Sequence, residues 1–129
     1  MLSPQIQLFN AIFAASLNLG YKTIDYSPTS DDSLPYPFVF VAETNSDDVI
    51  NNKDVITGRV RQTVHVWGYA HDRATFTDIV YQLEMKLRHL TTLKNYRLEI
   101  TELNSNQIID NTTTDNLLHG TIEAEYKLS

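Results

Sequence analysis

Three observations predict an α+β fold, with an antiparallel β-sheet, two α-helices packed on one face and a long inter-strand loop. Two segments carry apolar residues at spacings of three and four, the period of a helix with one buried stripe. Other segments alternate apolar and polar residues, the period of a strand with one wet face. The order is helix, strands, helix, strands, which favours helices on one side of an antiparallel sheet. The 129 residues are 42% hydrophobic and 20% charged, so residues 1–129 are expected to form one domain around a single core.

Ser3 followed by Pro4 reads as an N-cap with proline at the first helical position, where its missing N–H is harmless. Ile6, Phe9, Phe13 and Leu17 form the expected stripe of a helix over 4–18. Gly20 suits the left-handed position that ends it. Tyr21 to Tyr26 could form a brief strand. Residues 27–35 are turn-rich, and Pro35 and Pro37 press their predecessors into extended geometry. They lead into the apolar strand Phe38 to Ala42.

Residues 43–56 interrupt this pattern with a polar run. It predicts a long loop, of the kind that is functional or orders on a partner. Its only apolar pairs are Val49-Ile50 and Val55-Ile56. A strand is expected over 58–70, with Val60, Val64 and Val66 alternating with Arg61, Thr63, His65 and Trp67. Asp72 caps a second helix over 73–90, whose stripe is Phe76, Ile79, Val80, Leu83, Leu87 and Leu90. Residues 96–100 read as a strand, 104–106 as a turn, 107–109 as a short strand and 111–116 as a second polar loop. In the last strand, 117–128, Ile122, Ala124, Tyr126 and Leu128 face one way. Glu123, Glu125 and Lys127 face the other and are expected to be solvated.

Little in the chain carries chemistry. No cysteine is present, which excludes disulfides, thiol nucleophiles and cysteine-held metals. The four glycines are scattered and form no phosphate-cradling loop. His65, His71, His89 and His119 have no metal-ligand spacing; His65 and His71 could meet at Asp72, but sheet-face or surface histidines are the expected reading. The acid pairs Asp31-Asp32 and Asp47-Asp48 lie in polar stretches, where carboxylates are solvated and can serve as rim charges. Trp67 is expected in the core, with an interface anchor as the competing reading. No catalytic, cofactor-binding or metal site is therefore predicted, and the chain is not expected to be an enzyme. A formal charge of −6 disfavours gripping nucleic acid, yet is compatible with a conduit through which DNA slides. Neither a signal peptide nor an apolar span of membrane-crossing length is expected, so the protein should stay in the cytosol of the cell that makes it.

The order of features resembles the small tail completion (tail terminator) proteins of long-tailed bacteriophages, a group that includes head-to-tail joining proteins. The resemblance is carried by Leu34-Pro35-Tyr36-Pro37-Phe38-Val39, the polar run after it and the strand Arg61-Gln62-Thr63-Val64-His65-Val66-Trp67. Phe76, Ile79, Val80 and Leu83 of the following helix and the closing strand His119-Gly120-Thr121-Ile122-Glu123-Ala124 complete it. Pro37 is an extra proline relative to the pattern, and residues 88–95 have no clear counterpart.

The resemblance implies a structural role in the virion, at the head–tail interface, with assembly in the host cytoplasm. The implied partners are copies of itself in a ring, typically a hexamer, the major tail tube protein and a head-completion or connector protein. DNA would pass only transiently, and no membrane is involved. A connector adaptor elsewhere at the junction, or a small host ligand-binding α+β domain, are the alternatives. The resemblance supplies no catalytic residue. From physical reasoning, the interface is expected at Asp47, Asp48, Val49, Ile50, Val55 and Ile56, with the 111–116 loop and with Glu123 and Glu125 on the wet face of the last strand.

Overall fold

The computed structural model describes residues 3–26, 35–52, 55–110 and 116–129. Helix α1 (Pro4–Asn18) leads into β1 (Thr23–Ile24), β2 (Phe38–Asn52) and β3 (Val55–Tyr69). A single 3₁₀ turn, Ala70–Asp72, opens α2 (Arg73–Arg88), and β4 (Leu98–Asp110) and β5 (Leu117–Leu128) close the chain. The strands form one sheet in the order β1-β2-β3-β5-β4. All neighbours are antiparallel except β1, which runs parallel to β2. The fold is α+β, with both helices packed against the sheet through one shared core.

Helix α1 starts as its sequence dictates. The Ser3 side chain accepts the Ile6 N–H at 3.2 Å, and proline holds the first turn. The stripe that meets the sheet differs from the expected one. Leu8 and Ile12 are buried, whereas Ile6 and Leu17 are 47% and 50% exposed. Phe9 and Phe13 stack on each other at 5.7 Å and are only half-buried. The helix is apolar on more than one side, so periodicity alone does not choose the side that is covered. Polar anchors help to set it. The Gln7 side chain donates to Asn95 Oδ1 at 3.0 Å and accepts the Asn95 N–H at 3.2 Å, while the buried Ser16 and Thr23 hydroxyls share a 2.7 Å hydrogen bond. Both links satisfy polar groups that would otherwise be costly to bury.

Helix α2 buries the expected Phe76, Ile79, Val80, Leu83 and Leu87. Phe76 lies over two glycines on neighbouring strands. A Cβ at Gly120 would stand 2.9 Å from its Cζ, and one at Gly68 would stand 3.1 Å from its Cδ2. The two missing side chains let an aromatic ring approach the sheet backbone. At the far end of α2, the Tyr126 hydroxyl donates to the Leu87 carbonyl at 2.6 Å, and burial pushes the phenol pKa up. Tyr126 thereby ties β5 to the C-terminal turn of the helix.

Two expected loops are strands. Residues 43–52 belong to β2 and residues 55–57 to β3, with ladder positions running from Asn45 opposite Arg61 to Asn52 opposite Val55. The expected turn at 104–106 lies inside β4, where Asn104, Ser105 and Asn106 face Glu123, Ile122 and Thr121. In both places Asn, Asp and Ser lower strand propensity, but backbone groups supply the ladder and a long partner strand overrides composition. The expected loops at 27–35 and 111–116 lie outside the described residues, apart from Pro35 and Asn116.

Candidate functional site

Among the described residues, the helices cover only one face of the sheet. On β3 they bury Val60, Gln62, Val64 and Val66, and alternation sends Arg59, Arg61, Thr63, His65, Trp67 and Tyr69 to the opposite face. Gln62 is 0% exposed beneath the helices. Its amide donates to the carbonyls of Ala42 at 3.1 Å and Thr63 at 2.9 Å, and its oxygen accepts from the Thr44 hydroxyl at 2.5 Å. Those contacts sit where the β2–β3 register shifts between Val41 and Thr44, so the buried amide stitches across the irregularity.

The helix-free face has two halves. One is aromatic. Trp67 lies flat on His119, with ring centroids 3.9 Å apart and planes 6° apart. His119 Nε2 is 2.9 Å from His65 Nδ1, and His65 stacks on Phe40 at 5.6 Å. Tyr69 continues the row, against Tyr36 at 5.2 Å and His71 at 4.9 Å. The His65–His119 contact needs a proton on one ring and a lone pair on the other. Partial burial, and then the neighbouring His65, lower the pKa of His119, while Asp110 acts weakly in the other direction. Trp67 is not in the helix-covered core: it is half-buried on the opposite face, because its parity on β3 is that of His65 rather than of Val66.

The other half is charged. Arg61 Nε donates to Glu125 Oε1 at 2.9 Å, and an Arg59 nitrogen lies 3.7 Å from Oε2. The Thr101 hydroxyl is 3.1 Å from Oε2 and 3.2 Å from the Glu125 carbonyl. Thr101 sits at the shift in the β4–β5 register between Ile100 and Glu102, which brings it within reach. The Arg61 hydrogen bond, with help from Thr101 and the two guanidinium charges, holds the Glu125 carboxyl below the usual carboxylate range against the opposing effect of burial. Glu125 is therefore not the solvated residue its alternation suggested. It is 7% exposed, because its neighbours close over it. Glu123 is exposed, as expected. Arg61, Thr63, Glu102, Asn104, Glu123 and Glu125 line a polar depression of about 430 Å³ that is open to solvent.

Of the expected interface residues, those on β2 and β3 lie at one end of the sheet, whereas Glu123 stands mid-strand opposite Thr63. Asp47 occupies the ladder position opposite Arg59, Asp48 that opposite Gly58, and Val49 that opposite Thr57. Val55 stands opposite Asn52, and Ile50 and Ile56 lie in the same distal part of the β2–β3 hairpin. Arg59 in turn pairs with Lys127, and Arg61 with Glu125, so Asp47 and Glu125 belong to neighbouring cross-strand rows. Among the described residues, no group of three or more His, Asp or Glu could hold a metal ion. Sequence reasoning missed the His65–Trp67–His119 cluster. The available signal was that His65 and Trp67 share parity on one strand, but the partner from β5 depends on register.

No protein-family model matches the chain, and no curated protein matches its sequence. Solved structures do share its fold. A chain from the virion of the native gene transfer agent particle superposes with a TM-score of 0.63 at 13% identity, covering 98% of this chain and 99% of that one. The gp17 protein of bacteriophage SPP1 gives a TM-score of 0.54 at 22% identity, covering 99% and 97%. Nearly end to end, the chain thus has the fold of a gene transfer agent virion protein and of a bacteriophage protein.

Proposed function

We propose that this chain is a structural protein of a phage tail, which forms a ring that caps the tail tube, terminates its elongation and joins it to the head connector. The observation that carries this reading is the end-to-end fold match with a virion chain, which agrees with the tail completion features of residues 34–69. A hexameric ring, the major tail tube protein and a head-completion or connector protein are the partners proposed. DNA crosses the ring only in transit. The role is non-enzymatic and located in the virion. The contact region is the distal β2–β3 hairpin, with Asp47, Asp48, Val49, Ile50, Val55 and Ile56, together with exposed Glu123 on the adjoining face. The paired Glu125 is assigned to holding that face together instead.

Light scattering and negative-stain imaging of the chain, alone and mixed with tail tubes, test this. The expected result is a ring with a central hole seated on tube ends, and tubes that stop growing. A chain that stays monomeric in the mixture and leaves tube length unchanged overturns it. A ring that binds the connector but not the tube would assign the adaptor role.

A further inference from the structure

The sheet ends in two unlike edges. At one end, β1 covers β2 only at Val39 and Phe40, so among the described residues no strand flanks β2 from Val41 to Asn52. At the other end stands β4, which among the described residues is paired on one side only, with β5. The first half of β4 carries the usual protection of an exposed edge, with Glu99, Glu102 and a register shift between Ile100 and Glu102. The second half, Asn104-Ser105-Asn106-Gln107-Ile108-Ile109, has no charge, no proline and no register shift. It ends in Ile108 and Ile109, 58% and 59% exposed and on opposite faces of the strand. An unprotected edge flanked by apolar side chains is a template for another strand.

Building on the ring proposed for this chain, we infer that residues 104–109 of β4 add onto the outer edge of β2 in a second copy of this chain, joining subunits head to tail through a continuous sheet. The strand directions favour it. Three successive antiparallel pairings, β2 with β3, β3 with β5 and β5 with β4, make β4 run opposite to β2. Rotation about an axis along the strands preserves direction, so β4 of one copy meets β2 of the next antiparallel, as within the sheet. Contact between two different surfaces of the same chain generates a ring when the rotation closes. Closure also leaves no open edge, whereas pairing β4 with β4 in a two-fold dimer would leave both β2 edges bare. The lack of charge in 104–109 has a use here, because Asp47 and Asp48 lie on the β2 segment it would adjoin, and a like-charged strand would repel them.

The chain has no cysteine, so introduced pairs report without background. Gln107→Cys is combined in turn with a single cysteine at each of residues 43–51, and the chain is assembled with tail tubes and oxidised. Within one subunit β2 and β4 are three strand spacings apart, roughly 14 Å, which no disulfide spans. The expected result is a ladder of covalent oligomers for one or two β2 positions and none for Gln107→Cys alone. The double variant Ile108→Lys/Ile109→Lys alters only exposed side chains. It should raise the concentration needed for ring formation at least about tenfold while keeping the wild-type unfolding midpoint. Rings that form normally with both lysines and give no ladder at any position overturn the edge contact and leave the ring itself standing. Cross-linking of Gln107→Cys alone overturns it in favour of β4–β4 pairing. Absence of rings in the wild-type sample overturns the proposed ring, and this contact with it.

Discussion

The two faces of one sheet solve opposite problems. Under the helices, side chains interlock: Phe76 lies on Gly68 and Gly120, Tyr126 reaches Leu87, and the buried amides of Gln62 and Gln7 have their partners in place. On the helix-free face, flat rings and ion pairs stay half-open to water. Trp67 stacks on His119, which in turn meets His65 at a tilt, and Arg59, Arg61 and Thr101 surround one carboxylate. The first face is sealed by apolar packing, and the second keeps aromatic and charged groups partly open to water.

Four measurements can break or sharpen that contrast. Phe76→Ala should have the largest effect. It empties a fully buried ring site at the helix–sheet contact, and the loss expected for such a truncation is about 3–5 kcal/mol, read from denaturant unfolding. Gly120→Ala comes next, because its new methyl meets the Phe76 ring and Val80. Overpacking of this kind costs about 1–3 kcal/mol, and pairing it with Phe76→Leu should restore part of the loss. Trp67→Ala removes the ring stacked on His119 on the half-open face. The stacking itself is worth about 0.5–1.5 kcal/mol, and a variant less stable than Gly120→Ala would show the helix-free face to be a second core.

The smallest effect is in the pH dependence, which has two windows. His119 has a lowered pKa in the fold, so the neutral ring favours folding. That contribution is complete above its ordinary value of 6.5 and is lost as pH falls below it. Glu125 is also lowered, so its ionised form favours folding, and its contribution disappears as pH falls from 4.5 through its folded value. Unfolding midpoints measured from pH 8 to pH 3 should therefore fall in two steps. His119→Gln should flatten the upper step and Glu125→Gln the lower one. A profile unchanged by both variants would show that neither pair couples to folding.

Legibility in the sequence follows how one-sided each segment is. Helix α2 and strand β5 have a single apolar face each, so periodicity alone assigns Phe76, Ile79, Val80, Leu83 and Leu87, and then Ile122, Ala124, Tyr126 and Leu128, to the core. Helix α1 offers two competing stripes, and composition favours the wrong one, because Ile6 and Leu17 look like core residues while the anchors Gln7 and Ser16 do not. The polar hairpin reads as a loop because Asn, Ser and Asp are turn formers, and nothing in their pattern reveals a 15-residue partner strand. The candidate site is partly legible. The region from Asp47 to Ile56 stands out by its polarity and its isolated apolar pairs, but its form as a hairpin does not.

By itself, the sequence determined both helices, the strands with clear apolar alternation, the class of the fold and the absence of any cysteine-based site, but not the polar strand segments at 43–52 and 104–106. The features it determined depend on local periodicity and composition, which act over a few residues. Only the tertiary structure decided the strand order β1-β2-β3-β5-β4, which side of α1 is covered, and where Trp67 and Glu125 end up. Those outcomes depend on register between distant strands. A one-residue difference in pairing moves a side chain from one face to the other, and no local pattern carries that information.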